Sequence, residues 1–237
     1  MPLAEPPTIA LTRSKAQPWT RFARRGTRFA RGVLVAGIAA FSALAAVVPT
    51  KQGEALDRAI TAKVQANDDP RIERAAVAVS WFGFRPQSRL LPLAYAAVLW
   101  IARFRLEAIF QLAASGTGLL ATIVKSLMRR PRPVAGKDLR VVAAPLRGSS
   151  LPSGHVLTYV GVYGWMAIMA NRLIGPPLLR RLAVGALASL IAAVGASRIY
   201  LGHHWPSDVF ASYLLGSSYL AALLVAYRRL QSRRVHQ

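Results

Sequence analysis

Residues 209–227 read Val-Phe-Ala-Ser-Tyr-Leu-Leu-Gly-Ser-Ser-Tyr-Leu-Ala-Ala-Leu-Leu-Val-Ala-Tyr, nineteen positions without a charge, and Arg228 and Arg229 follow directly. A run of that length is close to the roughly 20 residues an α-helix needs to cross the hydrocarbon core of a bilayer, and a basic edge is the usual anchor of such a helix. Similar uncharged runs occupy residues 32–48, 90–102, 108–124, 156–170 and 182–196. Six such runs predict an all-α polytopic membrane protein, a bundle of six transmembrane helices. Several are short, and residues 90–102 contain Pro92; these must complete their crossing with polar-ended turns.

Composition agrees with that class. The chain has 237 residues, is 54% hydrophobic and carries a formal charge of +22, with a mean hydropathy of +0.33. Arginine clusters between apolar runs reconcile the two properties. A nucleic-acid-binding domain would explain the charge alone, but not the repeated apolar stretches, so no nucleic-acid partner is expected. There is no cysteine, which excludes disulfides and thiolate metal sites and leaves the redox compartment open.

The predicted organisation is a basic cytoplasmic tail at residues 1–31, a six-helix membrane domain at residues 32–227 and a second basic cytoplasmic tail at residues 228–237. Arg21, Arg24, Arg25, Arg28 and Arg31 lead into the first run, and the first tail reads as disordered. The first run could also be the core of a cleaved signal peptide, because Ala43, Ala45 and Ala46 lie near its end. Its length favours a retained span. Between runs one and two, Leu56, Ile60 and Val64 recur every four residues. They suggest an amphipathic helix along the membrane surface, with a plain connecting loop as the alternative. Asn67-Asp-Asp-Pro70 makes a turn, and residues 75–84 form a short apolar stretch that dips into the bilayer or packs on the bundle. Ser115, Gly116, Thr117 and Gly118 lie inside a continuous apolar run, so they favour close helix packing over a phosphate loop.

With the N-terminus cytoplasmic, Arg103 with Arg105, Arg172 with Arg180 and Arg181, and the final arginines all fall inside. Three polar clusters then share the outer face. They are Lys125-Ser-Leu-Met-Arg-Arg-Pro-Arg-Pro133 after span three, Pro152-Ser-Gly-His155 before span four, and Ser197-Arg-Ile-Tyr-Leu-Gly-His-His-Trp-Pro-Ser-Asp208 after span five. Lys125, Arg132 and Arg198 supply fixed cations suited to the equatorial oxygens of a transferring phosphoryl group. Pro131 and Pro133 present Arg132 on an extended turn. Ser153 and Gly154 offer a hydroxyl and backbone N–H groups at a helix start.

His204 and Asp208 are four residues apart, a spacing at which the carboxylate can hold one imidazole nitrogen and leave the other free to attack. Pro206 suits the first turn of the last helix, placing Asp208 within it. His155, from a different cluster, is then available as general acid. Each element has a plainer reading as a solvated helix end or structural turn. His203, His204 and Asp208 have the residue types of a metal site, but the chain offers only four histidines and no cysteine for one.

These residues resemble a known family. Lys125, six residues, Arg132-Pro133; Pro152-Ser-Gly-His155; and Ser197-Arg198, five residues, His204, three residues, Asp208 are similar to the three signature motifs of the type 2 phosphatidic acid phosphatase superfamily. Its members are also called lipid phosphate phosphatases and share their site with soluble acid phosphatases and vanadium haloperoxidases. Every signature position is filled. The resemblance implies the bacterial integral-membrane branch, a phosphohistidine on His204, an orienting Asp208, and His155 protonating the leaving group. It implies that Lys125, Arg132, Ser153, Gly154 and Arg198 hold the phosphate, with no metal and no cofactor. The expected protein is a phosphatase of the cell inner (plasma) membrane with an extracytoplasmic site. Its substrate would be a phospholipid or polyprenyl (di)phosphate such as undecaprenyl diphosphate, phosphatidate, phosphatidylglycerophosphate or a lipid A phosphate. A phosphotransferase of the same family and a non-enzymatic lipid transporter are the competing readings.

Overall fold

A computed structural model describes residues 21–136, 139–142 and 146–235. Residues 1–20 of the predicted tail, Lys137 and residues 236–237 lie outside the described residues. The described chain is helical throughout its ordered elements: α1 (Arg21–Val47), α2 (Lys51–Val64), α3 (Pro70–Trp81), α4 (Gln87–Ile101), α5 (Arg105–Ala114) and α6 (Thr117–Met128) form the first half. α7 (Gly154–Thr158), a π-helical turn at Tyr159–Tyr163, α8 (Gly164–Leu173), α9 (Pro177–Tyr200) and α10 (Pro206–Val235) form the second.

Among the described residues, four helical stretches are long and apolar enough to cross a membrane: Gly26–Val47, Arg105–Met128, Pro177–Tyr200 and Pro206–Arg233. They coincide with predicted spans one, three, five and six. Their outward faces are apolar, with Val35, Ile38, Leu119, Ile123, Leu182 and Phe210 exposed, as lipid-facing surface requires. The other two predicted spans are shorter or interrupted. α4 has 15 residues, about 22 Å at 1.5 Å per residue against a core of about 30 Å. Residues 154–173 stay helical but pass through the π turn. Residues 21–31 of the first tail, read above as disordered, are helical in α1, and α10 runs on through the second basic segment to Val235. Arginine is a good helix former, and an existing helix extends at little cost.

The long helices α1 and α10 pack along each other, α3 and α8 lie on α9, and residues 154–173 run through the middle against α6, α9 and α10. At one end the core is aromatic. Phe110 stacks on Trp165 at 5.5 Å and meets the edge of Tyr227 at 5.3 Å. Glu107 is buried there, and its carboxylate accepts from the Tyr227 hydroxyl at 2.7 Å and from Arg172 at 3.3 Å.

At the other end, the predicted amphipathic helix is present as α2, but its sides carry opposite chemistry from a soluble helix. Asp57 and Thr61 are the buried residues, while Leu56 and Ile60 face out and Val64, the third residue of the predicted stripe, packs half-buried against the cluster of Ala76, Tyr200 and Leu201. Leu56 and Ile60 turned outward suit a membrane surface. Asp69 accepts from the N–H of Arg71 at 2.7 Å and Pro70 opens α3, so the predicted turn at residues 67–70 is a helix cap.

Of the small residues in the third span, Gly116 approaches Tyr219 and Thr117 packs on Gly161. A Cβ at Gly161 would lie 2.6 Å from Thr117 Cγ2 and 2.8 Å from the Ala114 carbonyl oxygen, whereas one at Gly118 would meet nothing within 4 Å. Gly161→Ala is therefore expected to destabilise the protein by about 1–3 kcal/mol through overpacking, while Gly118→Ala leaves it unchanged or slightly raised. Thermal unfolding of the two variants in detergent checks the contrast.

Candidate active site

The three polar clusters converge at the end of the bundle opposite Glu107. Helix α9 delivers Arg198 in its last turn, and Gly202, at φ +71°, turns the chain toward His203 and His204. The Arg140 carbonyl oxygen would stand 2.2 Å from a Cβ on Gly202, so only glycine fits between that strap and the turn. Gln65 fastens the same strap by donating to the carbonyls of Arg140 and Tyr200 at 2.8 and 2.9 Å and accepting from the Arg140 N–H at 3.0 Å.

His204 is 1% exposed. Its Nδ1 lies 2.7 Å from the carbonyl oxygen of Ser150. A carbonyl can only accept, so Nδ1 carries the hydrogen and Nε2 carries the lone pair. Nε2 faces an Nη of Arg132 at 3.2 Å. Arg132 is held by three carbonyls, donating to Gly148 at 3.1 Å, His203 at 2.7 Å and Ser149 at 3.0 Å. Neutral dipoles position this guanidinium without cancelling its charge.

The predicted imidazole–carboxylate hydrogen bond takes a different form. The Asp208 oxygen is 3.9 Å from His204 Nδ1, beyond bonding distance, because other donors hold the carboxylate. It accepts from the Ser150 hydroxyl, from the Trp205 N–H at 3.0 Å and from Arg130. Ser150 thus joins the pair through two of its own groups, its hydroxyl on Asp208 and its carbonyl on His204. Asp208 sits in the first turn of α10 behind Pro206, as the sequence indicates.

Arg198 is fully buried, donating to the Ser80 hydroxyl at 3.1 Å and contacting Nδ1 of His203. His203 and His204 therefore point to different partners, and among the described residues no three His, Cys, Asp or Glu side chains gather as a metal site would require. His155 packs edge-on against Phe84 at 4.7 Å, and a Cβ on Gly83 would stand 2.3 Å from its ring. The Arg198 guanidinium lies 5.6 Å over the same Phe84. Lys125, in the last turn of α6, is within electrostatic reach of Arg132, Asp208 and Arg198.

Ser153 Oγ, His155 Nε2 and Arg198 Nε are buried without a hydrogen-bond partner among the described residues. Buried polar atoms are nearly always bonded. Three at predicted site positions, among fixed cations, suit the oxygens of an anion. The Ser153 N–H is not available for this, since it donates to Ser212 at 2.7 Å. A Cβ at Gly154 would meet nothing within 4 Å, so a ligand can approach that backbone closely. Beside the site, a cavity of about 610 Å³ is lined by Arg58, Met128, Arg129, Arg132, Leu151 and Trp205.

The sequence reading missed Asp57, Ser80, Gly83, Phe84, Arg130 and Ser150. Four of these come from residues 57–84, assigned above to a surface helix and a short apolar stretch. The one available signal was the polar i, i+4 pair Asp57 and Thr61 opposite Leu56 and Ile60.

Comparison with known proteins agrees with the geometry. The PAP2 superfamily model matches residues 106–232. Phosphatidylglycerophosphatase B of Bacillus subtilis (strain 168) is 30% identical over 183 residues, covering 74% of this chain and 85% of that protein. The crystal structure of a transmembrane PAP2-type phosphatidylglycerolphosphate phosphatase from Bacillus subtilis superimposes with a TM-score of 0.71 at 24% identity. It spans 80% of this chain and 93% of its own.

Burial lowers His204 to about 3, against the opposing pull of Asp208. Unfolded histidine takes its proton near the ordinary value of 6.5. The stability that depends on this histidine is therefore complete above that value and falls as pH drops toward the folded value, by up to roughly 1.4 kcal/mol per pH unit. The unfolding midpoint is expected to fall on acidification from neutral pH, and less so in a His204→Ala variant. An equal fall in both proteins would assign the effect to other groups.

Proposed function

The chain belongs to the PAP2 superfamily and is an enzyme of its lipid phosphatase kind, and from that premise we propose that it removes a terminal phosphate from a membrane lipid through a phosphohistidine at His204. The observation that carries this reading is the fixed tautomer of His204, with Nδ1–H on the Ser150 carbonyl and the Nε2 lone pair directed at the cationic chamber. Nε2 attacks phosphorus in line, the bond from phosphorus to the lipid oxygen breaks, and His155 gives its proton to that oxygen. Water then attacks the phosphohistidine, His155 takes a proton from it, and inorganic phosphate leaves. The substrate dianion among Lys125, Arg132 and Arg198 offsets their repulsion and favours the His155 imidazolium. Those three cations, with Ser153 and the Gly154 backbone, hold the phosphoryl oxygens, and Asp208 supports the cationic phosphohistidine. The 30% identical relative acts, by its name, on phosphatidylglycerophosphate, which makes that lipid the first substrate to test. Undecaprenyl diphosphate, phosphatidate and lipid A phosphates follow.

The same proposal includes six spans. The two beyond the four long helices are α4, which packs beside α5, and residues 154–173, which run through the middle of the bundle. A central segment is shielded by its neighbours and tolerates a less apolar surface. This threading places the N-terminal tail at residues 1–31 and the C-terminal tail at residues 228–237 in the cytoplasm, and residues 32–227 as a phosphatase domain of the inner membrane with an extracytoplasmic site.

Phosphate release from the lipid panel in the presence of EDTA tests the activity, and free phosphate separates hydrolysis from transfer to a second lipid. His204→Ala is expected to abolish turnover of every substrate. In the first turnover, His155→Ala should lose about 10²-to-10⁴-fold on an alkyl phosphate lipid, whose alkoxide needs a proton, and much less on p-nitrophenyl phosphate. Equal losses on the two substrates would remove His155 from the acid role. For topology, Gly136→Cys should react with an impermeant thiol reagent in intact cells and Gly175→Cys should not, and the reverse labelling would invert the threading.

A further inference from the structure

Asp57 lies on α2, outside the residues matched by the family model, and only 2% of it is exposed. Its carboxylate accepts three hydrogen bonds. Arg130 donates one at 2.6 Å, and Ser207 donates two, from its N–H at 2.9 Å and its hydroxyl at 2.6 Å. The same Arg130 guanidinium uses its other Nη on Asp208 and on the Ser207 hydroxyl, the latter at 2.9 Å. Ser207 immediately precedes Asp208 in the first turn of α10, where backbone N–H groups have no partner within the helix.

We infer that Asp57 and Arg130 are positioning residues of the catalytic carboxylate, so that the surface helix α2 is an integral part of the active site. The inference rests on the phosphohistidine reading above. Two physical effects carry it. Asp57 caps α10 from another helix, and thereby fixes the turn that carries Asp208. It also draws on the charge of Arg130. A guanidinium paired with Asp208 alone would neutralise it, and a neutralised Asp208 would give His204 no counter-charge as its imidazole becomes a cationic phosphohistidine. Shared between two carboxylates, Arg130 orients Asp208 and leaves it net negative toward His204.

Arg130 differs in this from Arg132 and Arg198. Those two hold partners that leave their charge uncancelled, whereas Arg130 is the guanidinium between two buried carboxylates. Loss of Asp57 should therefore slow phosphorylation of His204 without weakening the grip on phosphate, since the chamber becomes more positive.

Rapid-quench measurement with a labelled lipid phosphate separates the possibilities, because its amplitude counts folded sites and its rate reports the chemistry. For Asp57→Asn the expected result is a phosphoenzyme formation rate lowered about 10- to 100-fold, the scale of losing an outer partner of a reactive group. Amplitude and vanadate inhibition should stay at wild-type values. A wild-type rate in the sites that remain, whatever their number, would make Asp57 merely structural and overturn the inference. So would a loss of vanadate binding in step with the rate. If Asp57→Asn yields no folded protein, Asp57→Glu decides, since it keeps the charge and displaces it; a slowed rate at full vanadate sensitivity supports the inference and an unchanged rate refutes it. A wild-type protein that forms no phosphoenzyme would instead overturn the proposed function.

Discussion

Burial of like charge at one end of the bundle is the constraint to which the rest of the structure answers. Lys125, Arg130, Arg132 and Arg198 gather around two buried carboxylates, Asp57 and Asp208, which leaves two positive charges in excess. At low effective dielectric such an excess is costly unless an anion offsets it. A phosphate dianion carries the matching charge. The fold keeps the excess available through neutral partners. Carbonyl oxygens of Gly148, Ser149 and His203 hold Arg132, while a hydroxyl and an imidazole hold Arg198. Carboxylates at those positions would position the arginines equally well and cancel the charge the site needs.

The same logic separates the two histidines. His204 is buried and His155 half-buried, and their neighbours differ. His204 is fixed at both nitrogens, by a carbonyl at one and a guanidinium at the other, so its lone pair has one direction. His155 is wedged between Phe84 and Gly83, and its Nε2 has no protein partner. A ring held by apolar packing can change protonation state within a catalytic cycle, because no hydrogen bond must be broken when the proton moves. A nucleophile needs a constant tautomer, and an acid needs a changeable one.

Much of this was legible in the sequence, and what was not has a physical explanation. The charge-free runs gave the helices, since a span announces itself by length and apolarity. The three clusters pointed to Lys125, Arg132, His155, Arg198, His204 and Asp208, because each cluster contains a proline that marks a helix end: Pro131 and Pro133, Pro152, and Pro206. Arg130 was hidden in the run Arg129-Arg130-Pro131-Arg132. Nothing local distinguishes the arginine that bridges Asp57 and Asp208 from the exposed one before it. Ser150 acts partly through its carbonyl, which every residue has. Asp57 was missed because α2 was read by its apolar stripe alone. The stripe indicates which side meets the membrane, and nothing in the sequence says what the polar side meets.

A chamber tuned to a dianion also has a consequence for turnover. The substrate's terminal phosphate and the inorganic phosphate product carry nearly the same charge, so a fixed excess of two positive charges holds both. Binding that is equal in ground states lowers KM without lowering the barrier. Selectivity for the transition state must come from groups that respond as the reaction proceeds. In the proposed mechanism, Asp208 would gain value as His204 becomes cationic, and His155 as the leaving oxygen becomes basic. The cations would then provide capture, and the two groups that the substrate does not initially satisfy would provide catalysis. Product escape depends on the lack of a lipid tail, since bilayer anchoring retains the substrate near the site and offers nothing to free phosphate.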